Sequence, residues 1–430
     1  YPPIPSHTLP HLPSTTASDA RKHTPPTRQP APAPQSTPKV RMLVPQARWQ
    51  AYLLLLAGPL ICWSRWPLLR KICGLPVNAF VCLNVFAQLA CSLLWGLLLA
   101  PAASFWHGIS LVIAQFDHRV AAVVVGGFLL VHGDHLSSVA MQRLQASHAY
   151  LMYAGFTMGM GTLLNELIEP VGAPLRLAGG VAFVFLAIGC LGLRVAHAAE
   201  APADTRTPKE GRCSSTSVDD AESGVQVVSS AQMAQELLPE RQEHTARARV
   251  ALGMCIVAGL CSMGWSPLST LAAKGAATNN GTAPYGWAAD SEDVHTSLAN
   301  PFVAIFLFVG GELLGVPSVV YLGSRLDHTS LREAFRPAGR THIAAGLAAG
   351  VAINLGYLGY FLAASLGPDV LPSTTVFAVA ACNPIVSLIA FEAWQLRATR
   401  SRRGYCRSRD GILTCASIIF YILAITLLAV

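Results

Sequence analysis

The chain has 430 residues, of which 52% are hydrophobic and only 12% charged, and its mean hydropathy is +0.45. Soluble domains carry about 25% charged residues, so this composition excludes a soluble protein of two or three domains and places the chain in a membrane. The formal charge of +7 comes from a basic N-terminal tail and from Arg397, Arg400, Arg402, Arg403, Arg407 and Arg409; it lacks the interleaved aromatic residues that stack on bases, so nucleic acid is not an expected partner.

Residues 1–48 are rich in Pro, Ser and Thr and hold a single acid, Asp19. Too little apolar surface is present to fold, and a disordered tail is expected. The first residue is Tyr1 and not Met, so the true N-terminus is expected upstream; a basic, acid-poor leader of this kind also fits an organellar transit segment. Ten stretches then approach the length of about 20 apolar residues that crosses about 30 Å of hydrocarbon as helix. They lie near 50–70, 77–100, 120–141, 148–168, 175–197, 249–271, 300–322, 342–365, 372–394 and 411–430. In lipid no backbone polar group can stay unpaired, and a β-barrel would show short alternating segments, so these runs are expected to be helices. A polar linker, 199–247, separates a first unit at 49–198 from a second at 248–430.

The second unit repeats the first. Asn78 and Phe80-Val81 recur as Asn300 and Phe302-Val303 at a register of 222, while Gly127, Gly133, Ala140 and Glu169 recur as Gly350, Gly356, Ala363 and Glu392 at 223. A duplicated unit with five spans must place its copies in opposite orientations. The expected fold is therefore all-α and integral to the membrane, with ten transmembrane helices in two inverted five-helix repeats, an architecture of secondary carriers. With both termini outside, the short cytosolic loops hold thirteen Lys and Arg residues and the opposite loops hold Arg119, Arg176 and Lys274. This bias sets the orientation and puts the linker in the cytosol. The sequon Asn280-Gly281-Thr282 then falls outside.

Charged groups at the centre of a span cost about 3 kcal/mol on insertion scales and need a reason. Glu312 is the sharpest case, mid-span and preceded by Gly310 and Gly311, which thin the helix for an approaching backbone or substrate. It is either a protonatable or substrate-binding carboxylate or a buried structural partner. Asp134 lies in the third span between His132 and His135, which share a helix face; a proton relay, a polar cavity wall and interhelical hydrogen bonds all remain open for them. Two histidines fall short of a metal-ligand set, and eight of the eleven cysteines sit within spans with no CxxC pair, as small apolar residues. No metal or other cofactor is expected. Asn84, Gln88, Thr157, Asn165, Asn354 and Asn383 add polar groups at mid-depth, and amides suit a neutral, amide-rich solute better than a phosphorylated one. Helix breakers are paired: Trp66-Pro67-Leu68 is expected to end the first span and Trp265-Ser266-Pro267-Leu268 to end or kink the sixth, the kind of interruption that marks a transporter's site; the two tryptophans line a cavity or belong to an interfacial belt. No GxSxG, HExxH, DFG or P-loop string is present, so an enzyme is not expected.

Residues 50–430 resemble the drug/metabolite transporter superfamily and within it the plant ureide permeases. Trp66-Pro67 before Gly74-Leu75-Pro76, Asn84 with Gly96, and Gly126-Gly127 leading to Gly133 carry the likeness in the first unit. Gly161-Thr162-Leu163-Leu164-Asn165 with the acid at 169 completes it. Ser266-Pro267, Asn300, Phe302, Asn354 and the stretch from Leu371 to Glu392 are similar in the second unit. The resemblance implies proton-coupled uptake of allantoin, uracil and related oxo-heterocycles by alternating access, most naturally at the plasma membrane, with an organellar envelope and a homodimer left open. Departures are the absence of a nucleotide-binding-like motif in 199–247, Asp134 where the family tends to show Asn, and the His132/His135 pair.

Overall fold

The structure, a computed structural model, describes residues 48–100, 102–144, 146–170, 172–200, 230–273, 297–298, 300–327, 330–336, 338–367, 370–399 and 409–429. The N-terminal tail, residues 201–229 of the linker and the Asn280 sequon lie outside them. In chain order the long helices are α1 (Arg48–Cys73), α2 (Val77–Leu98), α3 (His118–Arg143), α4 (Ala146–Ile168), α5 (Pro174–His197), α6 (Ala246–Ala272), α7 (Pro301–Arg325), α8 (Arg340–Ser365), α9 (Ser373–Ala390) and α10 (Gly411–Leu428). Among the described residues there is no strand, and nine of these helices are long and apolar enough to cross a membrane. The chain is thus an all-α protein of the integral membrane type.

The exception is α4. Its 23 residues reach about 34 Å at 1.5 Å per residue, so length is sufficient. What it lacks is apolarity, because Tyr150, Tyr153, Thr157, Thr162 and Asn165 are all buried along it. A helix whose polar residues face the bundle interior does not need a uniformly apolar surface.

Three helices are interrupted. Pro59 removes a backbone donor, and α1 widens to a π-turn over Leu56–Cys62, tightens to a 3₁₀ turn over Trp63–Arg65, and resumes at Trp66 with Pro67 in the first turn, where the missing N–H costs nothing. It ends on Gly74 at φ 61°, a left-handed cap that favours glycine. Within α6 the helix stops at Ser262 and restarts at Trp265. The third interruption was not expected: 372–394 read as one span, but α9 turns at Ala381-Cys382 and restarts at Asn383-Pro384. Side chains meet groups near these breaks. Ser387 Oγ donates to Ser64 O at 2.5 Å, Trp63 Nε1 to Ile353 O at 2.9 Å, and Asn383 Nδ2 to Ala380 O at 3.0 Å.

The repeated asparagines act differently. Asn300 Oδ1 accepts from Phe302 N at 3.0 Å, ahead of Pro301 at the first helical position, a capped helix start. Asn78 instead lies inside the first turn of α2, fully buried, because Pro76 already marks that helix's start.

The bundle is organised around α3 and α8. Helix α3 packs on α6 and α7, α8 packs on α1 and α2, α2 meets α7, and α5 lies along α10. Glycine permits these crossings. A Cβ on Gly127 of α3 would stand 1.9 Å from Phe308 O, and one on Gly311 of α7 would stand 2.0 Å from Val124 O, so the two backbones press on each other reciprocally. On the other side a Cβ on Gly350 of α8 would stand 2.3 Å from Asn84 O and 2.7 Å from the Cβ of Ala87. Large apolar side chains such as Phe86, Leu186, Leu314 and Ile422 are exposed on α2, α5, α7 and α10, as lipid contact requires and water would not favour.

Candidate functional site

A cavity of about 580 Å³, counting its open mouth, lies halfway along α3 and α8. Six helices supply its wall. Trp63 and Trp66 come from α1, Leu130 and Asp134 from α3, and Tyr150, Tyr153 and Thr157 from α4; Trp265 comes from α6, Ile353 and Tyr357 from α8, Phe377 and Asn383 from α9. The breaks of α1, α6 and α9 all fall beside it. Helical geometry explains the selection: Trp63 and Trp66 are three apart, Tyr150, Tyr153 and Thr157 recur at three and four, and Ile353 and Tyr357 are four apart, each set on one face.

The aromatic groups hold one another. Trp63 meets Tyr357 at 5.6 Å and Trp265 at 5.9 Å, both edge-on; Trp265 meets Phe377 at 5.6 Å, and Trp66 meets Tyr150 at 5.5 Å. Such spacings are favourable for ring pairs, so the indoles are fixed in place. Polar atoms are similarly committed. Tyr153 Oη donates to Asp134 Oδ1 at 2.8 Å and lies 3.1 Å from Ser262 Oγ. Tyr150 Oη donates to Asn383 Oδ1 at 2.5 Å, and Thr157 Oγ1 to Tyr153 O at 3.1 Å.

Of the residues singled out in the sequence, Asp134, Thr157, Asn383, Trp66 and Trp265 line this cavity. Glu312 does not; it lies one layer behind, 1% exposed, accepting from Tyr357 Oη at 2.8 Å, with Gln88 beside it and Asp134 close enough to interact electrostatically. Tyr357 is the wall residue that joins the two. Asn354 also stands behind the wall, accepting from Trp95 Nε1 at 2.8 Å and donating to Gln88 O at 3.0 Å. Asn165 donates to Ser266 Oγ at 2.9 Å and accepts from Thr270 Oγ1 at 3.1 Å, while Ser266 meets Tyr360 Oη at 2.7 Å. This network ties α4, α6 and α8 together. Asn84 is buried where α2 crosses α8. His132 and His135 both face α7: His132 Nε2 is 2.8 Å from Ser318 Oγ, and His135 lies against Gly323 near Asn78. Among the described residues no three His, Cys, Asp or Glu side chains converge as metal ligands would.

Compared with known proteins, the sequence matches no protein-family profile and no curated protein. The site is therefore read from its own chemistry. Its principal wall residues, Trp63, Tyr150, Tyr153, Tyr357 and Phe377, escape a search for mid-span polar groups because aromatic residues in spans usually serve as apolar filling or interfacial anchors. The usable signal was the spacing of Tyr150, Tyr153 and Thr157, together with the Asn383-Pro384 dipeptide, which marks a turn.

Proposed function

We propose that this protein is a secondary active transporter carrying a small nitrogenous solute by alternating access, coupled to protons. The observation that carries the reading is the composition of the cavity wall. Helices α1, α3 and α4 contribute from one half of the chain and α6, α8 and α9 from the other, so each contributor has a counterpart five helices on. Packing follows the same rule. The pairs α3–α7 and α2–α8 correspond, as do α3–α6 and α1–α8, and α4–α6 and α1–α9, while α2–α7, α4–α9 and α5–α10 each correspond to themselves. Recurring glycines fit as well: a Cβ on Gly127 or Gly350 would collide with a backbone oxygen of α7 (Phe308) or of its counterpart α2 (Asn84), and one on Gly133 or Gly356 with Ser262 of α6 or Trp63 of α1. These correspondences support ten membrane helices in two inverted repeats around a shared site, an arrangement in which one half rocks against the other.

The breaks in α1, α6 and α9 give such a motion places to bend. Glu312 and Asp134, carboxyl groups that accept from Tyr357 Oη and Tyr153 Oη respectively, supply groups that can take up and release a proton. On this reading both termini face outward and the linker lies in the cytosol, in a plasma membrane or an organellar envelope. Allantoin and uracil, the solutes implied by the ureide-permease resemblance, head the first panel.

Cysteines introduced at Thr205 and Tyr285 are expected to react with an impermeant reagent from opposite faces of the membrane. Labelling of both from one face removes the inverted repeat and the carrier with it. In reconstituted vesicles an inward proton gradient is expected to drive accumulation of a panel solute above its external level, whereas binding without accumulation marks a receptor.

A further inference from the structure

The donors and acceptors around the cavity are unequally spent. Trp63 Nε1 is used on Ile353 O, Tyr150 Oη on Asn383, Tyr153 Oη on Asp134, Thr157 Oγ1 on Tyr153 O, and Tyr357 Oη on Glu312. Asn383 is also committed on both sides, accepting from Tyr150 and donating to Ala380 O. What these groups still offer is lone pairs, on three phenol oxygens, one threonine hydroxyl and the Asp134 carboxylate. Lining N–H donors remain as well: the indole N–H groups of Trp66 and Trp265 and the second N–H of the Asn383 amide have no protein acceptor. The wall can therefore both accept from and donate to a solute, and neutral hydrogen bonding alone does not select one; charge and aromatic surface do.

Asp134 is the only ionisable acid or base other than tyrosine among the lining residues, and around it stand three indoles and three phenols. Aromatic faces attract cations, more strongly when water is excluded, and a carboxylate accepts from an ammonium in a charge-assisted hydrogen bond. Both features select the same kind of ligand. Resting on the carrier reading for its transport but not for its binding, we propose that the solute is an organic cation, an amine protonated at neutral pH, with its nitrogen at Asp134 and its apolar part against the indoles of Trp63, Trp66 and Trp265. The cation then supplies Asp134 with the counter-charge that the wall lacks, and its N–H groups meet the phenol oxygens.

The test uses the full chain in lipid nanodiscs, with benzylamine and its uncharged near-isostere benzyl alcohol as probes and calorimetry as the readout. Benzylamine is expected to bind at least about tenfold more tightly than benzyl alcohol, and more tightly than uracil or allantoin. In Asp134→Asn this preference is expected to fall below about threefold, because the charge is lost while the acceptor oxygen facing Tyr153 is kept. Equal binding of amine and alcohol, tighter binding of uracil, retention of the preference in the variant, or no binding of benzylamine each overturns the proposal. The amine-to-alcohol ratio needs only the unaltered protein, so it decides even if the variant does not fold. Counterflow of uracil without amine binding sinks the cation and spares the carrier. Selective amine binding without counterflow does the reverse.

Discussion

Glu312→Gln is expected to reduce proton-gradient-driven accumulation to the level of protein-free vesicles, with membrane insertion and thermal stability nearly unchanged. The substitution keeps the shape of the side chain and an amide oxygen that can accept from Tyr357 Oη at the position now 2.8 Å away. What it removes is the exchangeable proton. An ionised group at mid-span costs about 3 kcal/mol, which corresponds to about two orders of magnitude between two orientations of a carrier. A carboxyl can apply that bias in one protonation state and withdraw it in the other; an amide cannot. The melting temperature should move by less than about 4 °C, since the packing around a fully buried site is retained. Normal accumulation by the variant would make Glu312 a structural acceptor for Tyr357 and nothing more. Tyr357→Phe separates the two roles further, because it deletes the wall hydroxyl that donates to Glu312 while leaving the carboxyl in place. Its uptake is expected to fall by about tenfold, the effect of leaving a buried acceptor without its donor.

The membrane class and the run of helices follow from composition and apolar length, which local chemistry dictates directly. The break of α6 was legible at Trp265-Ser266-Pro267, but Trp66-Pro67, expected to end the first span, instead opens the last helical segment of α1, whose widened turn lies at Pro59. The turn at Ala381-Cys382 was missed, because its Asn383-Pro384 signal sits inside an otherwise continuous apolar stretch. Placement relative to the cavity was only partly legible. Asp134 and Thr157 face it, while Asn84, Asn165 and Asn354 serve contacts between helices. One sequence shows that a polar residue lies at mid-depth but not the rotation of its helix, and about 100° of rotation per residue separates a wall position from a strut. The two histidines illustrate the point: adjacent to Asp134 in sequence, they turn toward α7 while Asp134 turns toward the cavity.

The pair Gly310-Gly311 separates close packing from free space in adjacent positions, and it predicts opposite outcomes for the same mutation. Gly311→Ala places a methyl carbon 2.0 Å from Val124 O, a backbone atom that cannot swing aside. Helices α3 and α7 must then part at their tightest crossing, where Gly127 already rests on Phe308 O from the other side. Overpacking of this kind costs about 3 kcal/mol or more. Gly310→Ala meets nothing within 4 Å, and in a helix interior it is expected to stabilise by about 0.5–1 kcal/mol through the lost freedom of the unfolded chain. Unfolding in mild detergent, followed by size-exclusion of the folded fraction against temperature, should lower the midpoint for Gly311→Ala and raise it slightly for Gly310→Ala. Gly127→Ala should behave like Gly311→Ala, and the double variant should lose less than the sum of the two, since parting the helices once relieves both clashes. Equal midpoints for the two adjacent alanine variants would mean that α3 and α7 do not touch at this register, and the correspondence of α3–α7 with α2–α8, on which the twofold reading of the bundle draws, would fall with them.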